Sequence, residues 1–177
     1  MGAESVTVCF TGNPNCGKTT LFNAYTGAGK KTANWPGVTV ALSEGSLMHR
    51  GRLVHLVDTP GIYSLDPYTM EETVTRQCIR DQKADVIIHV ADALLLERSL
   101  FLTMQLLAEG KPLVLALNMM DLVRERGMDI DIGRLSRLLG GIPVIPPPPV
   151  PIRITPSRWT RPPSPPESPA GGWGELP

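Results

Sequence analysis

The stretch GNPNCGKT, from Gly12 to Thr19, decides the fold of this chain. It fits the pattern G-x-x-x-x-G-K-[ST] at every fixed position, and it lies between a short β-branched run and a segment with helical spacing. Glycines at these positions let backbone N–H groups converge on a phosphate, and the following helix points its positive end at the same place. We therefore predict a phosphate-binding loop rather than a plain glycine turn.

Two side chains of this loop have specific expected roles in nucleotide binding. Lys18 places a positive charge between the β- and γ-phosphates, where it acts catalytically, and Thr19 offers its hydroxyl to Mg²⁺. The predicted phosphate-loop residues are Gly12, Asn13, Pro14, Asn15, Cys16, Gly17, Lys18, Thr19 and Thr20.

A second motif, DTPG at Asp58–Gly61, follows an apolar strand-like run. The Asp58 carboxylate can hold Mg²⁺ through water, and the Gly61 N–H can sense the γ-phosphate, with Thr59 and Pro60 completing the segment. Four residues alone are a weak signal, and a Pro-Gly turn is the alternative. Downstream of a phosphate loop the motif predicts a nucleotide and metal site, with Gly61 as a catalytic residue.

The third motif, NMMD at Asn118–Asp121, selects the base. It is similar to the guanine motif N-K-x-D, with Met119 in place of Lys. Asp121 can accept hydrogen bonds from the N1–H and the N2 amino group of guanine, a donor pair that adenine lacks. Asn118 would tie this segment to the phosphate loop, and the Met119 thioether would cover the base. A strand-end turn is the alternative.

Strand-like and helix-like segments alternate through residues 1–145, which predicts one α/β domain with a mostly parallel sheet and helices on both faces. The three motifs in this order predict the P-loop Ras-like GTPase fold. The composition then changes, because 13 of the 18 prolines fall at Pro143 or later. We expect residues 146–177 to be a disordered or extended tail. It is either an unstructured end or a ligand for a proline-binding partner domain.

Composition restricts the function classes. Lys+Arg and Asp+Glu both number 17, so no electrostatic footprint for nucleic acid is present. The three cysteines form no CxxC pair, which is typical of a reducing compartment. No run of about 18 uncharged apolar residues exists, so no membrane span is expected.

Four segments together resemble the N-terminal G domain of FeoB-type ferrous iron transporters, over about residues 5–145: GNPNCGKTTLFNAYTG, NWPGVTV, DTPGIYSL and NMMD. The resemblance implies that Thr39 is a catalytic switch threonine closing on Mg²⁺ and the γ-phosphate, with Gly37 and Val38 lining the same loop. It implies that Asn15 holds an activating K⁺. It also implies binding of GTP and GDP, slow GTP hydrolysis linked to ferrous iron transport, and a place at the cytoplasmic face of the membrane.

The resemblance ends near IPVI at residues 142–145. The family continues with a loop on guanine, a helix, a helical subdomain and a membrane transporter domain. We expect the last helix of the G domain to be missing here and the chain to be a truncated or frame-shifted product. Two alternatives stay open: a non-catalytic fragment that binds nucleotide weakly or not at all, and a soluble GTPase of the ribosome-assembly type.

Overall fold

The structure is a computed structural model that describes residues 5–27, 31–34, 40–80 and 84–147. Within those ranges the chain forms seven strands and five α-helices. The strands are β1 (Val6–Gly12), β2 (Lys31–Asn34), β3 (Ala41–His49), β4 (Arg52–Asp58), β5 (Val86–Asp92), β6 (Leu113–Asn118) and β7 (Val144–Ile145). The helices are α1 (Lys18–Thr26), α2 (Met70–Arg80), α3 (Leu96–Ala108), α4 (Met120–Glu125) and α5 (Ile132–Leu138), and a 3₁₀ turn at Ala93–Leu95 precedes α3.

All seven strands join one sheet in the order β2-β3-β4-β1-β5-β6-β7. The five strands from β4 to β7 in this order are parallel, whereas β2 and β3 run antiparallel to their neighbours. The β3–β4 hairpin turns at Arg50 and Gly51, which both have positive φ. The carboxyl ends of β1, β4 and β6 therefore meet at one edge of the sheet, where ligands bind in open α/β folds.

Helices cover both faces, but unequally. On one face α1 packs Leu21 and Phe22 against the sheet, and the Phe22 ring meets Phe10 edge-on at 5.8 Å. On the other face lie α2, α3, α4 and α5, whose apolar side chains pack against β1, β5 and β6. Burying one side chain of this size contributes about 1.5–3 kcal/mol, so these contacts fix the helices on the sheet.

Local sequence explains where two helices begin. Thr69 and Glu72 form a reciprocal capping box at the start of α2. The Thr69 hydroxyl accepts a hydrogen bond from the Glu72 N–H at 3.2 Å. The Glu72 carboxylate accepts one from the Thr69 N–H at 2.9 Å. Asp131 caps α5 by accepting from the Arg134 N–H at 2.7 Å.

The predicted α/β fold with a mostly parallel sheet and helices on both faces is confirmed. Two elements were not predicted: the edge strand β2, which has only four residues, and α4, which begins inside the NMMD motif. The predicted Pro-rich tail spans residues 146–177, of which 148–177 lie outside the described residues, as does the expectation of a missing last helix. No helix among the described residues has the length and apolar character needed to cross a bilayer.

Candidate functional site

The loop between β1 and α1 is closely packed at both of its glycines. A Cβ at Gly12 would lie 2.4 Å from the Val90 carbonyl oxygen, and one at Gly17 would lie 2.3 Å from Asn118 Nδ2. Gly17 also has a φ of 86° and stands at the N-terminus of α1 without a side chain to cap it. A helix N-terminus without a capping side chain is suited to bind an anion, which is what the sequence motif predicts.

Three charged or hydroxyl-bearing side chains meet beside this loop. The Lys18 ammonium donates to the Asp58 carboxylate and to the Thr59 carbonyl oxygen. The Thr19 hydroxyl donates to the other Asp58 oxygen at 3.1 Å. Lys18 and Asp58 are both buried, so the ammonium and the carboxylate interact with little screening by water.

The DTPG segment leaves β4 and passes directly over the phosphate loop. The Thr59 N–H and hydroxyl both donate to the Phe10 carbonyl oxygen, at 3.0 and 2.9 Å. The Ile62 N–H donates to the Gly12 carbonyl oxygen at 3.0 Å. A Cβ at Gly61 would lie 3.0 Å from the Pro14 Cα, so the close approach of the two segments also favours glycine here.

The NMMD segment contacts the same loop from the other side. Asn118 Nδ2 donates to the Cys16 carbonyl oxygen at 2.9 Å, which is the tie expected from the sequence. Burial raises the pKa of the Cys16 thiol, so the side chain stays neutral. Met119 has a φ of 62°, and this turn places Asp121 in the exposed first turn of α4. The Asp121 carboxylate is therefore accessible to a nucleobase.

The phosphate loop and Gly61 of the DTPG segment line an open cavity of about 450 Å³, a size typical of small-molecule sites. All of its lining residues belong to the predicted set: Asn13, Pro14, Asn15, Gly17, Lys18, Thr19, Thr20 and Gly61. Asn15 is exposed at the cavity, with a φ of 65°. The predicted switch residues Gly37, Val38 and Thr39 lie outside the described residues.

Helix α3 supplies two contacts to this region that the sequence did not reveal. Gln105 accepts from the Leu65 N–H at 2.8 Å and donates to Ser64 and Asp66. The Arg98 guanidinium lies 3.8 Å from the centre of the Tyr63 ring. In the sequence both residues occupy ordinary polar positions of an amphipathic helix. No local pattern could therefore have predicted their contacts with this region.

A protein-family model, described as "Ferrous iron transport protein B", matches residues 6–148. The Fe(2+) transporter FeoB of Legionella pneumophila (strain Lens) is 49% identical over 133 residues, which cover 73% of this chain and 18% of that protein. The chain thus spans about a fifth of the length of the curated relatives it matches.

Solved structures agree with this match. The G domain of the T. maritima FeoB iron transporter is 40% identical with a TM-score of 0.73, over 80% of this chain and 86% of that one. A mutant of S. thermophilus NFeoB bound to GDP is 43% identical with a TM-score of 0.76, over 80% of this chain and 55% of that one.

Proposed function

The chain belongs to the family of ferrous iron transport protein B, and we propose that it is a G domain that binds GTP and GDP and hydrolyses GTP slowly. The observation that carries the proposal is the convergence of Lys18, Thr19 and Asp58 beside a loop that Asn118 holds from the other side. Three separate sequence motifs thus contact one loop, and two of them line the cavity beside it. Family membership favours this function over the ribosome-assembly alternative.

Phosphate recognition rests on the backbone and on one lysine. Backbone N–H groups of the loop after β1 and of the first turn of α1 bind the β-phosphate, and the GDP-bound S. thermophilus relative supports a diphosphate there. Lys18 exchanges its Asp58 partner for phosphate oxygens, since an ammonium binds either anion. The Gly61 N–H, carried on the segment that crosses Pro14, contacts the γ-phosphate.

Guanine recognition rests on the segment from Asn118 to Asp121. The Asp121 carboxylate accepts from the two donors on the edge of guanine, and adenine would leave that acceptor without them. Asn118 fixes this segment to the phosphate loop through the Cys16 carbonyl, so the distance between base and phosphates is set by the fold. Met119 packs its thioether on the base.

The oxygen ligands beside the phosphate loop fit Mg²⁺. The Thr19 hydroxyl and the Asp58 carboxylate are 3.1 Å apart, and both are the hard donors that Mg²⁺ prefers. Mg²⁺ held by these residues would neutralise negative charge on the nucleotide phosphates. We assign Thr39 as the third protein ligand. Asn15, an exposed residue that lines the cavity, is assigned to K⁺.

Slow hydrolysis follows from the residue after DTPG. The Ile62 side chain is buried in the core cluster with Leu65 and Val74, so it cannot orient the attacking water. Water attacks the γ-phosphate in line, and charge is stabilised by Lys18, the Gly61 N–H and the bound cations. Within the longer relatives named Fe(2+) transporter, we propose that this nucleotide cycle governs iron passage through the membrane portion.

Titration with fluorescent GDP, with ATP as competitor, tests the proposal. Micromolar or tighter binding that GDP displaces and ATP does not would support a guanine-specific site. The Lys18→Met variant is the control, because it removes the charge that contacts the phosphates and should weaken binding at least tenfold. Absence of GDP binding in the folded wild type would overturn the proposal and favour the non-catalytic fragment.

A further inference from the structure

We propose that Gln105 of α3 is a positioning residue, which holds the segment after DTPG so that the Gly61 N–H faces the γ-phosphate. The inference rests on the proposed function and extends it to a helix that carries none of the three motifs. Its physical basis is a set of three hydrogen bonds from one side chain to three consecutive residues, Ser64, Leu65 and Asp66.

The contact is specific to a carboxamide. Gln105 Oε1 accepts from the Leu65 backbone N–H at 2.8 Å, while Nε2 donates to Ser64 Oγ at 3.1 Å and to Asp66 Oδ2 at 3.2 Å. Only Gln or Asn presents an acceptor and donors on one planar group, and Asn is one methylene too short for the same reach. A hydrophobic residue at this position would leave the Leu65 N–H of a buried residue without its partner.

A second contact from the same face of α3 supports the first. Arg98 is seven residues before Gln105, so the two side chains lie on one face of the helix, two turns apart. The Arg98 guanidinium stacks on the Tyr63 ring at 3.8 Å, an arrangement in which the cation attracts the ring face. Helix α3 thus holds residues 63–66 through a stacked ring and a carboxamide.

The geometry connects these contacts to Gly61. The segment is anchored at its start by Thr59 on the Phe10 carbonyl and at Ile62 on the Gly12 carbonyl. The Ile62 and Leu65 side chains are buried in the same core cluster. Gly61 has no side chain to fix its own orientation, so the peptide N–H that faces the γ-phosphate is set by what holds the residues on either side.

Equilibrium binding of nucleotides tests this role through the γ-phosphate. In Gln105→Met, affinity for a non-hydrolysable GTP analogue should fall by about three- to tenfold, as expected when the one hydrogen bond from the Gly61 N–H to the γ-phosphate is lost. The affinity for GDP, which has no γ-phosphate, should stay within about twofold. The fall should appear in kcat for GTP hydrolysis as well. Met104→Ala is the control, because Met104 is exposed on the adjacent position of α3.

Amide hydrogen exchange gives a readout that needs no nucleotide. The Leu65 N–H should exchange faster in Gln105→Met than in the wild type, and at the wild-type rate in Met104→Ala. A Leu65 amide that is equally protected in Gln105→Met would overturn the inference. So would an unchanged ratio of GTP-analogue to GDP affinity.

The outcomes separate this inference from the proposed function. A wild type that binds no GDP would overturn the proposed function, and the inference with it. A wild type that binds GDP, with Gln105→Met showing the same GTP-analogue preference, would overturn the inference alone. Should Gln105→Met lose GDP binding through misfolding, Gln105→Asn decides the question. It keeps the carboxamide but is one methylene too short for the three contacts, so an unchanged GTP-analogue preference there would overturn the proposal.

Discussion

The ion pair between Lys18 and Asp58 makes the phosphate site a stabilising element of the fold. Their side chains are only 7% and 6% exposed, and the Lys18 ammonium contacts both the Asp58 carboxylate and the Thr59 carbonyl. In Asp58→Asn the amide oxygen still accepts from Lys18, but the buried ammonium loses its countercharge. A hydrogen bond to a charged group contributes about 1.5–3 kcal/mol, so a cost of about 2–3 kcal/mol is expected.

Thermal unfolding without nucleotide measures this cost. At about 2–4 °C per kcal/mol for a chain of this size, Asp58→Asn should lower Tm by about 4–12 °C. The matched control is Glu109→Gln, which breaks a bidentate pair with Arg80 at the surface, where the Arg80 and Glu109 side chains are 47% and 14% exposed. An exposed pair contributes about 0.2–1 kcal/mol, which corresponds to about 0.5–4 °C.

Salt distinguishes the two pairs further. Raising the ionic strength should reduce the effect of Glu109→Gln, since surface charges are screened, and should leave the effect of Asp58→Asn nearly unchanged. If Asp58→Asn melts within about 2 °C of the wild type, or if its effect disappears in high salt, the buried pair does not contribute as the structure indicates. The reasoning about Lys18 exchanging partners would then fail as well.

Three further substitutions follow from the structure. Burial lowers the pKa of His89 from 6.5 to about 3, so unfolding takes up a proton below pH 6.5 and stability falls by about 1.4 kcal/mol per pH unit there. His89→Gln should remove this pH dependence of the free energy of unfolding, measured by denaturant titration from pH 7 to 5, whereas His55→Gln, at an exposed position, should leave it unchanged. If stability falls with pH as steeply in His89→Gln as in the wild type, the prediction is wrong. Asp121→Asn should weaken GDP binding at least tenfold and favour xanthosine diphosphate, because the Asn amide can donate to the carbonyl oxygen that xanthine has in place of the guanine amino group. An unchanged GDP affinity would show that Asp121 does not contact the base. Gly17→Ala should abolish GDP binding while Gly127→Ala, at an open turn with a comparable positive φ, should only lower Tm; equal GDP affinity in the two variants would contradict the packing argument.

Sequence patterns predicted the parallel part of the sheet because its strands are buried on both faces and read as continuous apolar runs. The β5 run VIIHVAD is an example. The edge strand β2 has no such signal, since four residues with the sequence KTAN carry neither alternation nor an apolar run. The short helix α4 begins at Met120, directly after a residue with positive φ, and its six residues are too few for a helical period to be visible.

The candidate site likewise contains some residues that the sequence could predict and others that it could not. Lys18, Thr19, Asp58 and Asn118 could be found because each belongs to a motif with fixed spacing, and their contacts follow from where those motifs leave the sheet. Gln105 could not be found, because its three partners lie about 40 residues earlier in the chain and depend on how α3 packs. Tertiary contacts of this kind leave no local pattern in a helix that is amphipathic for other reasons.

The register of the sheet explains why three distant motifs form one site. Phe10 of β1 pairs with Asp58 of β4, while Gly12 pairs with Val90 of β5, and Asn118 of β6 pairs with Asp92 two residues further along β5. Parallel pairing thus brings the last residues of β1, β4 and β6 to one edge without any long loop between them. The loop after β1 then needs glycine at the two points where β5 and Asn118 approach it most closely. The glycines of the phosphate motif are therefore required by the packing of the sheet edge as well as by the phosphate, and a substitution there disturbs the fold and the site together.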